Sequence, residues 1–234
     1  MTKKKLSFDL NNIIKWAEIN WIKFEIYTSI DALKKLVILQ NEGFEIVHKD
    51  LNSKTSEVRS LNTQMDEQDF DQYITHLYGI DEEIISELKR IQNISKVISI
   101  FAVLESKLKV IRDKIQNDFK PNFELNKTNS VFLGHWKFLR LFLNDKNVKS
   151  EKYFTPIFNQ MEVRNIFNHQ DGIATKEQYD KLLHIEGLKF KEFEKMYYLE
   201  NIEEIFIENL FLKIESFFNE LLKELQDRTN EIVK

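Results

Sequence analysis

Glycine and proline are scarce in this sequence, and their scarcity limits the folds that the chain can adopt. Only 5 glycines and 2 prolines occur among 234 residues. A β-sandwich or barrel of this length needs turn residues about every 8–12 positions, which so few glycines cannot supply. Long helices need far fewer turns. The sequence therefore predicts an all-α helical bundle of about six helices.

Charge and cysteine content exclude several classes of function. Lys and Arg number 34 against 38 Asp and Glu, a net charge of -4, so no overall positive field attracts nucleic acid and any RNA contact must be local. The absence of cysteine excludes disulfides and thiolate sites, and it fits a reducing compartment. No apolar run approaches the roughly 18 residues of a membrane span, and no signal peptide is recognisable. We expect a cytoplasmic protein.

Apolar residues recur three and four positions apart over two long stretches. One stretch covers residues 12–40, and the other covers about 81–117, where acidic residues at its start suit the helix dipole. Residues 50–71 are polar and weakly periodic, so we expect either a loop or a loosely packed helix there, and this stretch is the best candidate for a linker.

The segment after Pro156 is predicted to be a helix that is fixed on two sides. Thr155 before Pro156 is typical of a helix start, and Gly172 is typical of a residue just past a helix end. At about 100° per residue, apolar side chains form two opposite stripes. They are Ile157, Phe158 and Met161 on one side, and Val163, Ile166 and Phe167 on the other.

Four polar residues occupy the last turns of this predicted helix: Arg164, Asn165, Asn168 and His169. A guanidinium and an imidazole are costly on a surface that is apolar one turn earlier, unless they have partners. The carboxyl end of the helix favours the protonated imidazole, which suits a general acid or base. The Arg164 fork suits a phosphate, and the two amides can orient either group. This pattern is typical of a functional site.

The chemistry that fits these residues is cleavage of RNA by its own 2′-hydroxyl. This reaction needs proton transfer and charge stabilisation but no bound ion. Glycine-rich phosphate loops and His-Glu-x-x-His are absent from the sequence. Glu45 and His48 form one isolated Glu-x-x-His pair, whereas a two-metal bundle needs two such pairs, so we interpret it as structural. We expect no metal and no cofactor.

The run Arg164-Asn165-Ile166-Phe167-Asn168-His169, followed by Gln170-Asp171-Gly172, resembles the signature of the HEPN superfamily (higher eukaryotes and prokaryotes nucleotide-binding). The resemblance covers roughly residues 81–225, so it implies that the chain divides into an unmatched amino-terminal helical extension, residues 1–80, and a HEPN-like helical domain, residues 81–234. It implies an all-α homodimer in which Arg164 and His169 of both subunits share one cleft. Such a cleft cuts RNA without metal and leaves a 2′,3′-cyclic phosphate. Many members are toxins or abortive-infection effectors of bacterial defence.

The resemblance also implies a polar residue on the preceding long helix that braces the arginine, and Glu105 is the candidate. Two functions remain open from the sequence. The first is a metal-independent endoribonuclease with Arg164 and His169 as catalytic residues and Asn165, Asn168 and Glu105 as supporting residues. The alternative is a non-catalytic helical module that binds RNA or a partner protein, and a regulatory or antitoxin subunit is a further expected partner. In a purely structural interpretation, Arg164 pairs with Glu162 or Asp171, and His169 caps the helix.

Overall fold

Long helices make up most of the fold. The structure is a computed structural model that describes residues 15–122, 130–144 and 148–233. Over these residues it is 79% helical, with six helices and one small three-stranded sheet, which confirms the predicted all-α class. The helices are α1 (Glu18–Leu61), α2 (Glu67–Phe119), α3 (Val131–Leu143), α4 (Glu151–Gln170), α5 (Lys176–Leu182) and α6 (Glu204–Ile232). The strands are β1 (Ile173–Ala174), β2 (Leu188–Phe193) and β3 (Met196–Ile202). None of the described helices is both long enough and apolar enough to cross a membrane.

The first two helices are longer than the sequence predicted, and residues 50–71 are mostly helical, the second of the two expected alternatives, rather than a linker. Helix α1 continues to Leu61 and α2 begins at Glu67, so only a short turn separates them. The polar residues of this stretch stay helical because several hydroxyls satisfy carbonyls of their own helix. Thr55 Oγ1, for example, donates to the Leu51 carbonyl at 3.0 Å, and Ser56 Oγ donates to the Asn52 carbonyl at 2.8 Å.

The described residues form two compact units. Unit 1 comprises the described residues within the ranges 1–28, 104–156 and 213–234, and unit 2 comprises residues 29–103 and 157–212. Helices α1, α2, α4 and α6 each contribute to both. Helix α2 runs without a break across residue 80, where we expected a boundary. That boundary followed from a family resemblance rather than from contacts, and it stays a prediction.

An aromatic cluster forms the core of unit 1. Helix α3 begins at a Ser130 cap, whose hydroxyl accepts the Leu133 N–H at 3.3 Å. The helix buries Trp136, whose ring centroid lies 4.5 Å from Phe154 and 5.5 Å from Phe217. Stacked and edge-on aromatic pairs of this kind add to the free energy gained by burial.

His135, beside this cluster in α3, is also buried. Its Nδ1 lies 3.3 Å from a guanidinium nitrogen of Arg112. Burial lowers the pKa of His135, the Arg112 charge lowers it further, and Glu105 acts in the opposite direction. The imidazole is therefore held in its neutral form as a packing residue.

A buried polar network joins α2 to α6 within unit 2. The Lys96 ammonium donates to Glu204 Oε1 at 2.8 Å, to Asn93 Oδ1 at 3.0 Å and to Asn41 Oδ1. Burial lowers the pKa of Lys96, and the hydrogen bond and opposite charge of Glu204 act against this shift. Since its three donors all have acceptors, this cluster is a closed structural element rather than an open site.

The small sheet lies in unit 2 and was not predicted from the sequence. The strands pair antiparallel in the order β1-β3-β2. Glu194 and Lys195 connect β2 to β3 with positive φ angles of 49° and 65°. Hairpin turns of this type usually use glycine or asparagine, so the sequence lacked the usual signal.

Candidate active site

Helix α4 carries the four polar residues that were predicted from the sequence to form a site: Arg164, Asn165, Asn168 and His169. It begins at Glu151 rather than at Pro156, which lies inside the helix. The N–H groups of Tyr153 and Phe154 donate to the Ser150 carbonyl at 3.0 Å, so the first turn forms before Pro156 and Thr155 is not the cap. The predicted start was therefore one turn too late.

The predicted fixing of α4 on two sides is confirmed by burial. Ile157 and Met161 are buried on one face, and Val163 and Ile166 are buried on the opposite face. A helix held on two faces cannot rotate without exposing apolar surface, at a cost of about 25 cal/mol per Å². The side chains that it carries are therefore held in fixed directions, as a catalytic site requires.

The carboxyl end of α4 is fixed by the sheet. Gly172 has a φ of +86°, and its N–H donates to the Ile166 carbonyl at 3.1 Å. The Leu199 N–H of β3 in turn donates to the Gly172 carbonyl at 2.9 Å, and Ile173 of β1 pairs with Tyr198 of β3. The segment that follows the candidate residues is therefore hydrogen-bonded to strand β3 of unit 2.

The four polar residues differ in exposure. Arg164 and Asn165 are half-buried, whereas Asn168 and His169 are exposed at the end of the helix. Residues four positions apart on a helix are neighbours, so Asn168 follows Arg164 and His169 follows Asn165 along the surface. The helix brings a half-buried guanidinium and a solvent-exposed imidazole into its last two turns.

The fifth candidate, Glu105, lies on α2 in unit 1 and is half-buried. Its charge raises the pKa of His135 in the same unit. Arg164 belongs to unit 2, and the proposed brace between Glu105 and Arg164 stays a prediction. Glu162, one of the structural partners suggested for Arg164, accepts a hydrogen bond from Gln178 Nε2 at 2.9 Å.

A cavity of about 410 Å³ opens directly after His169. Sequence reasoning missed it because it depends on the unpredicted hairpin. The only sequence signal was a basic and an aromatic residue at alternate positions, Lys191 and Phe193. In the hairpin, Lys191 pairs with Tyr198, and Phe193 pairs with Met196. The lining residues are Arg90, Asp171, Gly172, Lys191, Phe193, Tyr198, Leu199 and Glu200.

A larger cavity of about 690 Å³ adjoins the first in unit 2 and shares Arg90 and Glu200 with it. Both members of the isolated Glu45–His48 pair line it, and both are exposed on α1. Its lysines and arginine are paired: Lys89 with Glu204, Arg90 with Glu87, and Lys189 with Glu203. In the described part of the chain, no three His, Asp or Glu side chains are grouped so that they could hold a metal ion. Since the lysines and arginine of this cavity are neutralised by carboxylates, the end of α4 remains the candidate site.

Comparison with known proteins adds no family to this picture. No protein-family model, curated protein or solved structure matches the chain.

Proposed function

We propose that this protein is a metal-independent endoribonuclease of the HEPN type, which acts as a homodimer through Arg164 and His169. One observation carries the proposal: a helix fixed on two faces ends with a half-buried Arg164 and an exposed His169, and the lining of an open cavity begins at Asp171, two positions after His169. Asn165 and Asn168 on the same turns would orient these groups or the substrate.

The reaction divides naturally between the two side chains. An imidazole accepts the proton of the RNA 2′-hydroxyl as its oxygen attacks the adjacent phosphorus. The bond from phosphorus to the 5′-oxygen breaks, and that oxygen takes up a proton. The products are a 2′,3′-cyclic phosphate and a 5′-hydroxyl. Arg164 would stabilise the charge that develops on the phosphate oxygens, and two copies of His169 would serve as base and acid.

The direct test is incubation of the purified protein with single-stranded RNA in EDTA. We expect shortened products whose masses show 2′,3′-cyclic phosphate ends. A 2′-O-methyl RNA of the same sequence should stay whole, because it has no hydroxyl to attack. RNA that remains intact while the protein binds it would favour the alternative, a non-catalytic binding module. Cleavage of the methylated RNA would exclude the proposed chemistry.

Helix α2 offers a surface for the second copy. A stripe of apolar side chains, spaced three or four positions apart in unit 2, is between 38% and 76% exposed. Such stripes are typical of helix pairing, and a contiguous exposed one marks an interaction site. The stripe consists of Tyr73, Leu77, Ile80, Ile84, Leu88 and Ile91.

A parallel pair would place both copies of the candidate site at the same end of the interface. Arg90, next to the last residue of the stripe, lines the cavity at the end of α4. An antiparallel pair would separate the two cavities along the helix, by about 1.5 Å for each residue of offset. The parallel arrangement is therefore the one that suits a shared cleft.

Replacing Ile80 and Ile84 by lysine should weaken self-association by about tenfold or more, because two buried aliphatic side chains contribute roughly 1.5–3 kcal/mol each. Sedimentation velocity over a range of concentrations measures the effect. Leu36 and Leu39 of α1, which are exposed to a similar extent, provide a matched control when replaced by lysine. A wild-type protein that stays monomeric at every concentration would exclude the dimer.

The resemblance further suggests a role as a toxin or abortive-infection effector. Expression of the active protein in bacterial cells is then expected to arrest growth, and the arrest should require the same two residues as cleavage.

A further inference from the structure

The tip of the β2–β3 hairpin exposes apolar side chains. Glu194 and Lys195 both adopt left-handed backbone conformations, as the two-residue turn of a hairpin requires. The turn pairs Phe193 with Met196, and these side chains are 55% and 37% exposed. Apolar side chains that are grouped in solvent are typical of binding sites.

One face of the hairpin combines aromatic and basic side chains. Lys191 pairs directly with Tyr198 in the antiparallel register. Because alternate residues share a face of a strand, Phe193 lies on the same face as Lys191. All three line the cavity of about 410 Å³, which falls within the usual size of small-ligand pockets, roughly 300–1,000 Å³.

The cavity supplies a donor for phosphate. The Nε and Nη2 groups of Arg90 donate to the two oxygens of Glu87 at 2.6 Å, so this pair fixes the guanidinium and leaves Nη1 directed elsewhere. Arginine held in this way is well suited to contact a phosphate oxygen. Lys191 is exposed and adds a second positive charge.

The cavity also contains acceptors. Asp171 and Glu200 contribute carboxylates to its lining. The Glu200 charge acts on Lys189, whose pKa it helps to raise. Carboxylates repel phosphate but accept hydrogen bonds from base amino and imino groups. The lining therefore suits a whole nucleotide better than a simple anion.

The cavity follows the proposed catalytic His169 closely along the chain, although Arg164 and His169 are not among its lining residues. Asp171 and Gly172, which line it, follow His169 by two and three positions in the chain. A nucleotide bound here would therefore lie next to the phosphate that is cut.

We infer that this cavity binds one nucleotide of single-stranded RNA, with its base stacked on Phe193 and Tyr198 and its phosphate near Arg90 and Lys191. The carboxylates favour guanine, which presents two adjacent N–H donors on one edge, over uracil, which presents one. The role beside the cleavage site rests on the proposed function, whereas binding itself does not require cleavage.

The test uses fluorescein-labelled 2′-O-methyl RNA octamers in EDTA, since these bind without being cut. We expect Phe193→Ala combined with Tyr198→Ala to raise the dissociation constant about tenfold or more, because stacking of a base on an aromatic ring is worth roughly 1–3 kcal/mol. An octamer that contains guanine should bind wild type more tightly than oligouridine. Fluorescence anisotropy measures both effects, and circular dichroism verifies the fold of each variant.

The control replaces Trp21 and Phe24, a stacked pair with centroids 5.5 Å apart and similarly exposed rings. Their double alanine variant should bind as wild type does. Lys191→Glu, a surface change that leaves both rings in place, should also weaken binding. It tests the subsite even if the variant that lacks Phe193 and Tyr198 does not fold.

Several outcomes would overturn the subsite. They are absence of binding by wild type, equal binding by wild type and the hairpin variants, or a change only in self-association, which would assign this face to a second copy. Binding that depends on the hairpin without any RNA cleavage would support the subsite and exclude the nuclease. RNA cleavage by a protein whose binding does not depend on the hairpin would exclude the subsite and support the nuclease.

Discussion

Replacing His169 by alanine should lower the rate of RNA cleavage by about 10²–10⁴-fold, the usual contribution of a general acid or base. His169 is exposed at the end of α4, so the substitution removes an imidazole without opening a cavity in the core. Protein stability should change little. The measurement is kcat/KM on a labelled single-stranded RNA in EDTA, together with the melting temperature.

Substitutions at Arg164 separate charge from geometry. Arg164→Lys keeps a positive charge but loses the planar fork, which can contact two phosphate oxygens at once. We expect this variant to cleave more slowly than wild type but faster than Arg164→Ala. Since Arg164 is half-buried, its variants need a thermal melt beside each kinetic measurement.

His184 provides the matched control for His169. It is an exposed histidine of the same unit, and it has no role in the proposed reaction. His184→Ala should leave kcat/KM within about twofold of wild type. If the His169 and His184 variants cut RNA equally well, another group performs the proton transfer and the assignment of His169 is wrong.

The elements that the sequence predicted well are those determined by local pattern. The two buried faces of α4 follow from the spacing of Ile157, Met161, Val163 and Ile166, because helical periodicity is encoded within a few turns. The class of the fold follows from the shortage of turn residues. Gly172 was likewise predicted as the end of the helix, and its positive φ explains why glycine is present there.

The parts that the sequence did not predict depend on contacts between distant residues. The hydrogen bond from Leu199 to Gly172 joins segments that local periodicity cannot relate. The hairpin lacks glycine or asparagine at Glu194 and Lys195, so its turn gave no signal. As a result, the cavity that begins at Asp171 was missed. The end of the helix that leads to it was predicted correctly, whereas its start was not.

The position of Gly187 gives the strongest prediction for stability. Its φ is +84°, and a Cβ added there would lie 2.7 Å from the Phe206 nitrogen and 2.8 Å from Ile205 Cγ2. The Glu203 N–H also donates to the Gly187 carbonyl at 2.7 Å, so the backbone cannot move away easily. Phe206 is buried in the core of unit 2.

Gly187→Ala should therefore lower the free energy of unfolding by about 2–5 kcal/mol, the sum of a left-handed backbone penalty and of overpacking against a fixed backbone. Gly43→Ala is the opposite control. Gly43 lies inside α1 with nothing within 4 Å of an added Cβ, so alanine should stabilise the protein by roughly 0.5–1 kcal/mol. Urea denaturation measures both variants. A Gly187→Ala protein as stable as wild type would show that the start of β2 can shift, and the anchoring of the α4 end by the sheet would then be less rigid than the hydrogen bonds at Gly172 and Gly187 indicate.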